Sequence, residues 1–143
     1  HDETGKRALS IALKLWPRLR PVVLGSIEDR NGCDALMPNG DRVQVKGDAR
    51  IAKSGLLCWE FFKKVHEHPE GQWYHSPSAA QIYIFVTDGA AYWVLVDTLA
   101  VAAIGKNLKQ ISPTCLCFLI PWKNVIPPGI RQEHNLWGMK LML

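Results

Sequence analysis

An acid, an amide and an amine fall close together in the stretch CDALMPNGDRVQVK, residues 33–46, as Asp34, Gln44 and Lys46. On one surface they would combine a carboxylate acceptor, an amide that both donates and accepts, and an ammonium donor. Spread over two faces they would be ordinary solvated side chains. The strand register decides between these outcomes, because a slip of one residue moves every side chain to the opposite face.

Two turns around Pro38-Asn39-Gly40 make opposite predictions. A two-residue type I′ turn at Asn39-Gly40 would set Pro38 opposite Asp41 and Asp34 opposite Val45, taking Asp34 off the face of Gln44 and Lys46. A type I turn with Pro38 second, Asn39 third and a left-handed Gly40 fourth gives a bulged three-residue hairpin. Met37 then faces Asp41, and Asp34 faces Gln44. Only this register leaves an almost wholly apolar face (Cys33, Ala35, Met37, Val43, Val45), with Asp34, Leu36, Arg42, Gln44 and Lys46 on the other. The apolar pattern selects it, so the acid, amide and lysine are expected to converge. A solvated sheet face carrying an unrelated lysine is the competing reading.

The hairpin needs a scaffold. Ala8, Leu9, Ile11, Ala12, Leu13, Leu15 and Trp16 trace a helix over residues 5–15, with Pro17 as its stop. Val22–Leu24 reads as a first strand or its approach, SIEDRNG as a polar turn, GDARIAKSG as a basic loop and LLCWEFFKK as a strand. HEHPEGQWYHSPS is the longest loop, and QIYIFVT and AYWVLVD are strands joined at Asp88-Gly89-Ala90. TLAVAAIGK reads as a short helix capped by Asp97 or Thr98, and CLCFLIP as a strand; NVIPPGIRQEHNLWGMKLML carries little pattern. The order predicts a single domain over residues 1–143 of the α/β (α+β) class, with helices flanking one mixed central β-sheet.

Hydrophobic residues make up 48% and charged residues 21%, the balance of a domain that buries a core. No apolar run is long enough to span a bilayer, and the HDETGKRALS start lacks the layout of a secretory signal, so a cytoplasmic protein without a membrane partner is expected. The net charge of +4 leans mildly toward polyanions. Cys33, Cys58, Cys115 and Cys117 make no C-x-x-C pair and read as buried free thiols. His66, His68 and His75 read as a solvated loop rather than a zinc site. Trp73 and Tyr74 read as cover for a core edge rather than as base-stacking residues.

The cluster and its flanks resemble the PD-(D/E)XK nuclease superfamily, in the variant with glutamine for the second acid: Gln44-Val45-Lys46. EDRNGCD (residues 28–34) resembles the loop ending in Gly-x-Asp that leads to the first acid. GDARIAKSG (residues 47–55) resembles the D-x-R…(S/T)-G tail, followed by a strand glutamate, Glu60. The resemblance covers residues 28–60, departing at Leu56, where many relatives carry Asn, and at the neutral Gln44. It implies a restriction endonuclease-like core and a Mg²⁺- or Mn²⁺-dependent endonuclease acting on DNA. Asp34, the Gln44 amide oxygen and the Val45 carbonyl would hold the metal, and Lys46 would orient the attacking water and stabilise phosphoryl charge. Such nucleases commonly carry an acid on an N-terminal helix, for which Glu3 is the one near candidate, and Glu3 or Glu60 would supply the missing acid. Arg30, Arg50, Lys53 and Ser54 would contact the nucleic-acid backbone, and a homodimer would supply two active sites. Two alternatives compete: a non-catalytic nucleic-acid-binding domain on the same scaffold, and a protein-interaction domain with no metal site.

Overall fold

The computed structural model describes residues 3–30, 32–76, 79–127 and 129–138. Helix α1 (Glu3–Leu15) turns Ala8, Ile11 and Ala12 inward, the three- and four-residue spacing that brings side chains onto one face. Strand β1 (Arg20–Pro21) and the one-turn helix α2 (Ile27–Arg30) lead into β2 (Ala35–Leu36) and β3 (Arg42–Gly47). A one-turn helix α3 (Ile51–Ser54) precedes β4 (Leu56–Lys63) and β5 (Tyr74–His75). β6 (Ile82–Thr87), β7 (Ala90–Leu95), α4 (Val96–Ala103), β8 (Lys109–Ser112), β9 (Cys115–Pro121) and β10 (Ile130–Glu133) complete the chain.

The class is α+β, and the main sheet is mixed, six-stranded and ordered β1-β2-β3-β6-β7-β10. Within it β3 and β6 run parallel, and the other neighbours are antiparallel. The expectation of one sheet needs correction, because β5-β4-β9-β8 form a second, four-stranded sheet. Its central strands β4 and β9 pair with each other instead of extending the main sheet.

The two faces of the main sheet do different work. Val43, Val45, Ile82, Ile84 and Val86 point to one face, where Ala8, Ile11 and Ala12 of α1 cover them. On the other, Tyr83, Phe85, Tyr92 and Val94 pack with Leu57 and Ile120 of the second sheet and Leu99 of α4. The polar hairpin residues occupy the β2–β3 end of that second face, where this apolar packing stops.

Several local expectations shift. The first strand lies at Arg20–Pro21, and Val23 and Leu24 are exposed. Two segments read as turn or loop each wind one helical turn; in the second, Ile51 is buried and a left-handed Gly55 stops the helix. Helix α4 starts at Val96 with Leu95 at its cap and no side-chain cap bond, so neither Asp97 nor Thr98 caps it. Here β7 runs directly into the helix, and the Val96 N–H is already held by the Gln81 carbonyl. The patternless end supplies the short, largely exposed edge strand β10, and residues 139–143 lie outside the described residues.

Candidate active site

The hairpin closes as the turn chemistry requires. Ala35 pairs with Val43 and Leu36 with Arg42. The Gly40 N–H donates to the Met37 carbonyl at 2.9 Å, and Gly40 is left-handed at φ 89°. Asn39 reinforces the turn by accepting the Asp41 N–H at 3.0 Å. Cys33, Ala35, Val43 and Val45 are buried, whereas Asp34, Gln44 and Lys46 are part-exposed on the opposite face.

Asp34 lies just beyond the end of β2, where the regular ladder stops. Its backbone N–H still donates to Val43, and its Oδ2 accepts the Val45 N–H at 2.8 Å. The carboxylate thus takes the place of a ladder carbonyl. Because a strand residue's N–H and C=O leave on the same side, the Val45 carbonyl also opens toward Asp34. Burial raises the Asp34 carboxyl above the ordinary aspartate value, and the Val45 N–H and Lys46 offset this only in part.

Lys46 faces the second sheet. Its Nζ lies 3.1 Å from Glu60 Oε2 on β4, and Lys63 Nζ reaches the same oxygen at 2.9 Å. A regular strand would send Glu60 and Lys63 to opposite faces. A bulge at Phe61 reverses the parity: Glu60 stands opposite Cys117 and Lys63 opposite Cys115, so both face the site. Burial pushes the Glu60 carboxyl up, but Lys46 and Lys63 together outweigh it and hold it below the ordinary glutamate value. Burial alone would lower Lys63, and Glu60 reverses that.

These residues line a cleft of three adjoining cavities. Asp34, Gln44, Val45, Lys46 and Glu60 border one of them, about 380 Å³. Toward Tyr83 it continues into a cavity of about 480 Å³ bordered by Arg30, Lys63 and Tyr74. Toward Phe85 it continues into one of about 420 Å³ bordered by Arg7, Arg50 and Trp137. Lys46 and Glu60 border all three. Gly47 lets the start of α1 close over this end, since a Cβ there would meet Thr4 and Ala8 at 3.0 Å.

The other expected residues divide. Glu60 is in the cleft and bound to two lysines, whereas Glu3 is exposed at the start of α1, outside the cavity walls, although its neighbour Thr4 borders two of them. Arg30 is exposed at the cleft mouth. Arg50 makes a two-bond pair with Asp48 at 2.9 and 3.0 Å. Lys53 and Ser54 sit on α3 outside the cavity walls, and Ser54 Oγ is engaged with the Arg50 carbonyl and the Leu56 N–H. Arg7, Lys63 and Trp137 border the cleft without having been singled out in the sequence. Periodicity could have found Arg7, on the polar side of α1, but not Lys63, whose direction depends on the bulge.

The donors around Asp34 are hard oxygens: one carboxylate, an amide and a carbonyl. That set fits Mg²⁺ or Mn²⁺ with substrate and water completing the shell, not zinc. Among the described residues there is no group of three His, Cys, Asp or Glu side chains at metal-binding spacing. All four cysteines are free and buried, and burial pushes the Cys115 thiol up to about 11. Of the histidines, His68 pairs with Glu70 and His75 packs on Phe61. Trp73 covers Lys64, and no described helix is long and apolar enough to cross a membrane.

No family model and no curated protein matches this chain.

Proposed function

We propose that this chain is a metal-dependent nuclease that hydrolyses phosphodiester bonds of DNA on a restriction endonuclease-like scaffold. One observation carries the reading: Asp34, Gln44 and Lys46 border the same cavity, with Asp34 fixed by the backbone of the residue between the other two. Asp34, the Gln44 amide oxygen and the Val45 carbonyl would hold Mg²⁺ or Mn²⁺, which would supply Lewis acidity toward the phosphodiester and water. Asp34 would bind and orient the ion, with its Oδ2 held in place by the Val45 N–H. Lys46, anchored by Glu60, presents its remaining ammonium hydrogens to the phosphoryl oxygens and the attacking water. Glu60 is a positioning residue, since its Oε2 is shared by two lysines.

The neutral Gln44 and the commitment of Glu60 to lysines favour a second reading, a nucleic-acid-binding domain without catalysis. A cleavage panel of linear, nicked, single-stranded and four-way DNA under Mg²⁺ or Mn²⁺ separates the two. The nuclease reading expects metal-dependent cleavage that is lost in Asp34→Ala and Lys46→Ala. Binding without cleavage in wild type and variants alike would sink it.

A further inference from the structure

The charges along the cleft do not cancel evenly. Glu60 is matched by Lys46 and Lys63, and Asp48 by Arg50. Arg30 and Arg7, one in each of the other two cavities, have no carboxylate partner among the described residues. Arg7 is also the more constrained. It projects from α1 with its guanidinium carbon 5.8 Å from the centre of the Trp137 ring. Its Nε is shut away from solvent and meets no acceptor among the described residues. A guanidinium already partly stripped of water, with no counter-charge, gives up little more hydration when an anion reaches its outer nitrogens. The ring limits its freedom, so less is lost when it is fixed by a ligand.

We infer that Arg7, held on Trp137, forms a phosphate subsite one step along the cleft from Asp34 and Lys46, on the side away from Arg30. This rests on the nuclease reading for its ligand class, a nucleic-acid strand. It adds the strand's path: along β3 and β6, gripped by Arg30 at the Gln44–Tyr83 level and by Arg7 at the Lys46–Phe85 level. Neither contact reads a base, so both add affinity without sequence preference.

The test measures binding of a fluorescein-labelled single strand of about 12 nucleotides to the full chain, by anisotropy in Ca²⁺ across a salt series. Arg7→Gln is expected to weaken binding about three- to tenfold and to make the slope of log affinity on log salt shallower by about 0.7, one phosphate contact. Arg7→Lys should restore most of the slope, because it keeps the charge. Circular dichroism confirms that both variants are folded. An Arg7→Gln protein with wild-type affinity and slope overturns the subsite, even if the wild type cleaves. Arg7-dependent binding without any Mg²⁺-dependent cleavage upholds the subsite and overturns catalysis. A wild type that binds no strand overturns the subsite, whereas the cleavage panel decides the nuclease reading separately.

Discussion

The Asp34 carboxylate accepts the Val45 N–H at 2.8 Å, so the proposed metal ligand also completes the β3 edge where β2 ends. Burial raises its pKa, so the charged form is disfavoured by folding. With the folded value above the unfolded one, the folded state holds the proton to higher pH, and stability falls as pH rises through that window. Asp34→Asn keeps an acceptor for Val45 and removes the charge. It should melt about 3–5 °C above wild type near neutral pH, with the gap closing in acid. It should also lose any Mg²⁺- or Mn²⁺-induced rise in melting temperature. A lower melting point at neutral pH would count against a desolvated carboxylate.

Glu60 has the opposite sign. Its folded value is lowered, so its contribution is complete above the ordinary glutamate range and disappears as pH falls through the folded value. Glu60→Gln leaves Lys46 and Lys63 without their shared acceptor. The expected loss at neutral pH is about 1–2 kcal/mol, below that of a fully buried pair because these side chains are partly exposed. Urea denaturation at neutral and acid pH checks it, since the difference must shrink in acid.

Lys46→Met separates function from fold. Glu60 keeps Lys63, so the stability cost should be smaller than that of Glu60→Gln, whereas cleavage should drop about a hundredfold or more. Single-turnover rates beside melting curves measure both. A wild-type cleavage rate in Lys46→Met, whatever the stability change, would assign Lys46 a structural role only.

Gly47→Ala tests how α1 closes over the site. The added methyl would meet Thr4 Cγ2, the Thr4 carbonyl and Ala8 Cβ at 3.0 Å. Two of these contacts are helix backbone or the root of a side chain, which cannot swing away. A loss of about 1–3 kcal/mol is expected in chemical denaturation. Unchanged stability would mean that α1 rides loosely on β3.

The site's first half was legible because turn chemistry and apolar alternation agree at this hairpin. Pro38, Asn39 and Gly40 select one turn, and Val43 and Val45 must go inside, which fixes where Asp34, Gln44 and Lys46 emerge. The second half was not. Leu56–Lys63 reads as a strand, but nothing local says that it leaves the main sheet to pair with Cys115–Pro121, a distant segment. Nor does the sequence mark the bulge at Phe61 that turns Lys63 toward Glu60. Strand β10 stayed hidden because most of it is exposed, leaving no alternation to read.

Sheet topology also sets the order in which the cleft can come into being. β4, which carries Glu60, belongs to the crossover between the parallel strands β3 and β6, and its long partner β9 follows only after α4. A nascent chain can therefore close the Asp34 hairpin early, while the opposing wall must wait for residues 115–121 to emerge. Until then Lys46 has no docked Glu60 wall and the groove has one side. During synthesis, the hairpin would stand exposed as a half-site, and the finished cleft would be among the last parts of the domain to form.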